Sequence, residues 1–426
     1  MNLSELKSKL YYGYVMSLLG FMVIFIALVI KNNCSSLYII PITKALGVTR
    51  TAYVFHLSIM AIAMMISCFF MGRIISKFKL KYVMSICYLI LAICYVCFSQ
   101  VTALWQIYVI AAVMGFAFGG ATTLPVNIMI NNWFGFKVKG TMQSAASLGS
   151  GLGALVLVNL FQYIVSSYDW RIANLAAAAI FLVIMIPMVF FIAVDKPEER
   201  GYTRRPGDPV EEDHTVLTGI SEANRGIDLK YIWGMKRFWL QSLGQILIVA
   251  CSTAIATQTM PYFVDLGMKP AAAAALYSGA MGTLMFGKLI LGFISDKIQV
   301  PRASFLASLC MGGSFLSLYF MGGSSNMSTV FMATFLIGGS VSTIIPPLLT
   351  AKNYGDKDFG SIMGVITMEG NVGQIIGPLL ATFIYDTTGS YQSAWLIYTG
   401  ITLVVAFSFY FSGSLSRKKA ALLGYQ

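Results

Sequence analysis

Charge is the scarcest commodity in this sequence. Only 11% of its 426 residues are Asp, Glu, Lys or Arg, where a soluble chain carries roughly a quarter. Histidine is scarcer still, with His56 and His214 alone. No Ser-His-Asp arrangement and no metal-ligand spacing can be assembled, so the chain does not read as an enzyme, and it points to no cofactor. The seven cysteines (Cys34, Cys68, Cys87, Cys94, Cys97, Cys251, Cys310) all lie inside apolar stretches, which argues against a disulfide framework. Cys94-x-x-Cys97 lacks the polar flanks and βαβ context of a redox pair. No long polar stretch could form a soluble signalling domain, which disfavours a sensor that moves nothing.

What is present is apolar length. Hydrophobic residues make up 57% of the chain and the mean hydropathy is +0.75. They come in runs of about twenty or more, enough to cross a ~30 Å hydrocarbon layer at 1.5 Å per residue. Runs fall at about 12–45, 52–72, 82–100, 104–130, 140–165 and 172–194, then at about 237–264, 271–295, 303–322, 327–350, 360–385 and 392–413. The fold class is therefore an all-α membrane protein of twelve transmembrane helices. The N-terminal bundle covers 1–194, a polar linker 195–236 and the C-terminal bundle 237–426. Met1 to Leu10 runs into the first span without a small-residue cleavage site, so this span reads as uncleaved. The linker holds Pro197, Pro206 and Pro209 and has room for a short helix around Ile227–Trp233.

The net charge of +12 is a topology signal. With the N-terminus inside, 23 of the 29 basic residues fall in cytoplasmic segments, and Lys44, Arg50, Arg171 and Lys269 fall outside. The expectation is a multi-pass protein of the cell inner (plasma) membrane with both termini cytoplasmic. Its partner is the lipid bilayer, and nucleic acid is not required to explain the charge.

The two halves repeat at an offset of 220 residues. Pro41 and Leu46-Gly47 match Pro261 and Leu266-Gly267. Gly72-x-x-x-Ser76-Lys77 matches Gly292-x-x-x-Asp296-Lys297, and Gly135, Lys137 and Gly140 match Gly355, Lys357 and Gly360. Six spans separate the copies, so the repeats are parallel.

Twelve spans in two parallel six-helix repeats around a central polar loop resemble the major facilitator superfamily. Its hallmark loop after the second span, Gly-x-x-x-Asp-Arg-x-Gly-Arg-Arg, is matched in its first part by Gly292 to Lys297. The first-half copy departs, with Ser76 for the acid and Lys77 for the arginine. The resemblance implies a gating role for Asp296, Lys297 and Lys77. Within the superfamily, Asn132-Trp133-Phe134 with Lys139-Gly140, Asp169-Trp170-Arg171, Gly287-Lys288, and Tyr354-Gly355 through Gly377-Pro378 resemble the monocarboxylate and oxalate–formate exchanger group.

Ionisable groups at membrane depth are functional candidates by default. Lys288, eight residues before Asp296, lies roughly 12 Å into the bilayer, and Glu369, nine residues after Gly360, about 14 Å. Lys31 sits midway along the first span, with Ser35 and Tyr38 on one helical face and Asn32 and Asn33 beside it. In the resembled group a base in the eighth span binds the substrate carboxylate, and Lys288 holds that place. A second base of the oxalate exchangers lies in the eleventh span, where this chain has Glu369.

Three arrangements fit these charges. Lys288 and Glu369 pair, leaving Lys31 for a carboxylate; or Glu369 is protonated and carries a coupling proton; or the lysines and Glu369 together hold a zwitterion. A plain stabilising pair without substrate contact is the bland alternative, disfavoured because buried pairs stabilise poorly. Thr253, Thr257, Gln258 and Pro261 fit either a broken seventh helix lining the cavity or a simple kink. Gly115-x-x-x-Gly119-Gly120, Gly149 to Gly153 and Gly373-x-x-x-Gly377-Pro378 read as helix-packing faces, Tyr11, Tyr12 and Tyr14 as an aromatic belt, and His56 as a buried interface residue near the outer end of its span.

The resulting expectation is a secondary transporter of a small organic anion, most simply a monocarboxylate, working by alternating access as proton symporter or anion exchanger, with protons as the co-substrate in the first case. Substrate contacts are assigned to Lys31, Lys288, Glu369, Asn32, Ser35, Tyr38, Thr257 and Gln258, and proton coupling to Glu369. An amino-acid or zwitterion carrier is the rival within transport; multidrug export is disfavoured by the two buried bases. The resemblance suggests a monomer.

Overall fold

The computed structural model describes residues 11–134, 136–201, 227–323, 326–355 and 358–414. Gly135, Lys357 and His214 lie outside the described residues, as do the side chains of Ser76, Lys137, Lys139 and Asp296. All named elements are helices. The long ones are α1 (Tyr12–Leu46), α2 (Arg50–Lys77), α3 (Leu80–Ser99), α4 (Leu104–Ile130), α5 (Ala145–Ser167), α6 (Trp170–Ile192), α7 (Lys236–Asp265), α8 (Pro270–Ile298), α9 (Val300–Phe320), α10 (Met327–Tyr354), α11 (Phe359–Thr388) and α12 (Gln392–Ser414). Eleven of them, among the described residues, are long and apolar enough to cross a membrane. The other, α11, has the length, 30 residues, and carries Glu369, Asn371 and Gln374 in its course. The chain is thus the expected twelve-helix membrane protein. Helices are the natural choice here, because lipid offers backbone groups no hydrogen bonds and each span must satisfy its own.

The chain divides into two compact units, Met1–Asp213 with Lys269–Ser278, and His214–Met268 with Gly279–Gln426. Each unit uses the same pairings. In the first, α1 packs on α5, α2 on α4 and α3 on α6; in the second, α7 packs on α11 and α9 on α12. Small residues explain the closest of these. A Cβ at Gly149 or Gly153 of α5 would collide with the carbonyl oxygens of Phe21 or Phe25 on α1, and a Cβ at Gly373 or Gly377 of α11 with those of Ile246 or Ala250 on α7. Glycine at these positions lets two backbones touch, the usual basis of helix association where no hydrophobic driving force exists. The three glycine stretches read as packing faces serve as such: Gly115 of α4 lies on the Met60 carbonyl of α2 in the same way. The repeat also shows in the turns. Gly47 after α1 and Gly267 after α7 both have positive φ, 63° and 86°, a conformation that favours glycine and ends a helix abruptly.

The ends of the polar linker are fastened to their own units. Trp133 Nε1 donates to the Val194 carbonyl at 2.8 Å, and Asn132 Nδ2 to the Asp195 carbonyl at 3.1 Å. The Asp195 carboxylate accepts the first free N–H of α3, that of Leu80, at 3.0 and 3.1 Å. Burial raises the Asp195 carboxyl above its ordinary value, although the Leu80 N–H partly offsets it. On the far side, a four-residue helix, Leu229–Ile232, precedes α7. Ile227 N donates to the Tyr354 carbonyl at 2.8 Å and Leu229 N to Asp358 Oδ2 at 2.9 Å. Ile232 closes a buried cluster with Phe238, Tyr354, Ile362 and Ile366.

Candidate functional site

Helix α1 is wound irregularly where its charge sits. An α-helical start, Tyr12–Val23, passes into a π-helical turn, Ile24–Leu28. One α-turn, Val29–Asn32, then precedes a 3-10 segment, Cys34–Tyr38. Such departures from regular winding recur at functional sites. Lys31 lies in the short α-turn between them and is 6% exposed. Its Nζ lies 3.0 Å from Met64 Sδ and 5.9 Å from the centre of the Phe118 ring. Among the described residues no carboxylate lies within ion-pair distance of it. A thioether and an aromatic face are weak company for a buried ammonium, which leaves its charge uncompensated inside the unit.

Lys31 lines a cavity of about 30 Å³ within the first unit, together with Ser35, Tyr38, Tyr53, His56, Tyr95 and Asn174. Lys31, Ser35 and Tyr38 therefore do share one polar face; Asn32 does not line this cavity, and its carbonyl accepts from Ser35 Oγ at 2.9 Å. The Tyr38 hydroxyl is buried without a hydrogen-bond partner. His56 is buried and its Nδ1 lies 2.5 Å from the Tyr53 carbonyl. A carbonyl only accepts, so Nδ1 carries the proton in this contact. The volume suits a water molecule; a substrate needs more.

In the second unit, Glu369 of α11 takes a hydrogen bond from Ser242 Oγ of α7 at 2.9 Å through Oε1, and its Oε2 is buried without a partner. Glu369 forms no ion pair with Lys288 among the described residues. Lys288 is half-buried on α8, and the backbone there is pressed so close to α10 that a Cβ at Gly287 would collide with the Leu336 carbonyl. Of the three charge arrangements, the simple Lys288–Glu369 pair is thus absent from this structure.

Helix α7 is continuous from Lys236 to Asp265 with Pro261 inside it, so it is not broken there; irregular winding lies in α1 and, as π-helical turns, in α5 and α6. Gln258 is fully buried; its Oε1 accepts from the Tyr391 hydroxyl at 3.0 Å and its Nε2 donates to Thr257 Oγ1 at 3.0 Å. Thr257 donates in turn to the Thr253 carbonyl at 2.8 Å. These two side chains are occupied within their own unit. Lys297 stacks its ammonium 4.4 Å over the Phe293 ring and Lys77 is exposed. The structure describes no side chain for Asp296, the acid of that loop.

Several neighbours were not singled out from sequence. Arg237, at the start of α7, is 6% exposed, with its guanidinium 5.5 Å from the centre of the Tyr354 ring. Gln241 joins Thr350 (2.8 Å) and accepts from Asn353 (3.0 Å), which also reaches Ser412 (3.0 Å). Gln245, one turn beyond Ser242, has a buried Oε1 without a partner. The legible signal was the spacing Arg237, Gln241, Gln245, one polar residue per turn along α7.

Comparison with known proteins adds the remaining information. A family model described as the Major Facilitator Superfamily matches residues 10–352. Monocarboxylate transporter 12 of Mus musculus is 22% identical over 290 residues, a match covering 64% of this chain and 59% of that protein's length. Monocarboxylate transporter 2 of Rattus norvegicus is 24% identical over 313 residues (70% of this chain, 63% of the relative). The hexuronate transporter of Bacillus subtilis (strain 168) is 20% identical over 327 residues, with 72% and 73% covered. Among solved structures, the nucleoside transporter NupG superposes with a TM-score of 0.73 at 14% identity, covering 96% of this chain and all of the other (100%). The D-xylose–proton symporter gives 0.73 at 10% identity, with 93% and 96% covered. At these identities the structural likeness establishes the fold alone.

Proposed function

The chain belongs to the Major Facilitator Superfamily, and from that premise we propose that it carries a small organic anion, a monocarboxylate in the first instance, by alternating access. The supporting observation is Lys31: a buried ammonium met by Met64 and Phe118, with no carboxylate within ion-pair distance among the described residues. A protein keeps such a charge at a cost of several kcal/mol, and an anionic substrate supplies the missing compensation. Lys288 is the second proposed carboxylate contact, and Glu369 carries the coupling proton or sets charge balance. Curated relatives named as monocarboxylate transporters lend weight to the substrate class. The distribution of basic residues supports a plasma-membrane location with cytoplasmic termini.

A zwitterion carrier is the second reading, favoured by the free Oε2 of Glu369, which could receive an amine. Thermal stabilisation of the purified protein separates the two. A panel of small monocarboxylates, amino acids and amines is added, and a ligand at a hundredfold excess over Kd stabilises by about 2.7 kcal/mol. A rise in melting temperature with monocarboxylates that disappears in Lys31→Gln supports the anion reading. A rise with amino acids alone replaces it by the zwitterion reading.

A further inference from the structure

Among the polar atoms of the second unit that are buried with no hydrogen-bond partner are Glu369 Oε2, Gln245 Oε1 and the Tyr354 hydroxyl; the others belong to Ser252, Thr259 and Trp395. The first two belong to facing stretches of α7 and α11. Ser242 and Gln245 are three residues apart on one face of α7, and Ser242 already holds Glu369 Oε1. The Gln245 amide lies against α11 at the very next residue, its Nε2 3.1 Å from where a Cβ of Gly370 would stand. Gln245 itself is 5% exposed. Two acceptors left unpaired in a membrane span are costly, and a single proton between them satisfies both.

We infer that Glu369 is protonated on Oε2 and donates that proton to Gln245 Oε1, so that Gln245 is the positioning residue of the proton site. This rests on the reading of Glu369 as the coupling carboxyl and gives that proton an address. Ionised Glu369 fits the surroundings poorly, since among the described residues the Ser242 hydroxyl is its one donor and it makes no ion pair with Lys288. A sodium ion fits no better: Glu369, Gln245 and Ser242 offer four side-chain oxygens, one of them already donating its proton to another, where hard cations take about six. The other titratable groups facing this spot are the Tyr354 hydroxyl, at the end of α10, and Arg237, which lies across the Tyr354 ring at the start of α7. On α11 itself the next acid, Asp386, is seventeen residues on.

Infrared spectroscopy of the purified full-length protein near neutral pH tests this. The wild type should show a carboxylic-acid C=O band that Glu369→Gln removes. Gln245→Met, of similar volume but without the amide acceptor, should move that band to higher frequency. The double exchange of Gln245→Glu with Glu369→Gln should restore a band, and with it pH-driven uptake in proteoliposomes that Glu369→Gln alone abolishes. A structural role for Gln245 produces neither the shift nor the rescue. Absence of the wild-type band, or its replacement by carboxylate bands when sodium chloride substitutes for choline chloride, overturns the inference; so does a band that Gln245→Met leaves in place. If Gln245→Met fails to fold, the double exchange decides alone. The anion reading stands or falls separately: Lys31→Gln should keep the Glu369 band while losing monocarboxylate binding, and a wild type that shows the band yet binds no monocarboxylate sinks that reading only.

Discussion

The Nζ of Lys31 lies 3.0 Å from the Sδ of Met64, so that a buried ammonium on α1 is met by a thioether on α2. Sulfur is a weak acceptor. On the anion reading proposed above, a substrate carboxylate, a better acceptor, displaces this contact.

Replacing Lys31 with Gln should therefore weaken monocarboxylate binding by about 1.5–3 kcal/mol, the worth of a hydrogen bond to a charged group. That is a loss of roughly 10- to 150-fold in affinity. Uptake of labelled substrate into proteoliposomes measures it, with Met64→Leu as a control that keeps the charge. Unchanged uptake in Lys31→Gln would remove Lys31 from the site.

The glycine contacts make a sharper structural prediction. Gly377→Val and Gly153→Val each force a side chain into a carbonyl of the neighbouring helix, those of Ala250 and Phe25 respectively. Overpacking of this kind costs about 1–3 kcal/mol. Gly400→Ala, where a Cβ meets nothing within 4 Å, should leave the melting temperature in detergent unchanged. Equal tolerance at all three positions would mean that these helices can separate without loss.

Asp195 offers a test of both capping and pH. It accepts the Leu80 N–H at the start of α3, and loss of such a cap costs about 1 kcal/mol, so Asp195→Ala should lower the melting temperature. Asp195→Asn keeps an acceptor and removes the buried charge. The folded-state value of the Asp195 carboxyl lies above its ordinary 3.8, so the folded protein takes up this proton more readily than the unfolded chain. Stability from this group accordingly rises as pH falls through the raised value and levels off below the ordinary one. The advantage of Asp195→Asn over wild type should shrink on acidification; a gap that widens would reverse the assigned cause.

The polar chain Gln241–Asn353–Ser412 ties α7, α10 and α12 together inside the second unit. Asn353→Leu strands the Gln241 oxygen in an apolar interior at a cost of about 1–3 kcal/mol. Urea or thermal unfolding in detergent should show it as a lowered midpoint, and no change would indicate that a water replaces the amide.

The number of spans, their approximate limits, the two-fold repeat and the packing role of the glycines were legible in the residues alone. Each is written in local pattern: twenty apolar residues for a span, one offset for the repeat, four-residue spacing for a touching face. Pairing was not legible. Lys288 and Glu369 lie at similar depth by helical rise, yet Glu369 meets Ser242, because depth along an axis says nothing about rotation around it. Thr257 and Gln258 look like substrate ligands on a helical projection and are occupied by Tyr391 and by the backbone of their own helix. Arg237 is buried against Tyr354, which sequence position alone does not show, since a long side chain at a helix end can turn inward or outward.

By itself, then, the sequence determined that this chain lives in a bilayer as twelve helices, because the transfer of apolar length out of water and the need of every span to satisfy its own backbone depend on composition and run length alone. Which polar atoms meet, and which are left wanting a partner, was decided by the tertiary structure. Hydrogen bonds act over about 3 Å, and only the mutual rotation and contact of helices places Lys31 on Met64, Ser242 on Glu369, and the Gln245 amide against Gly370.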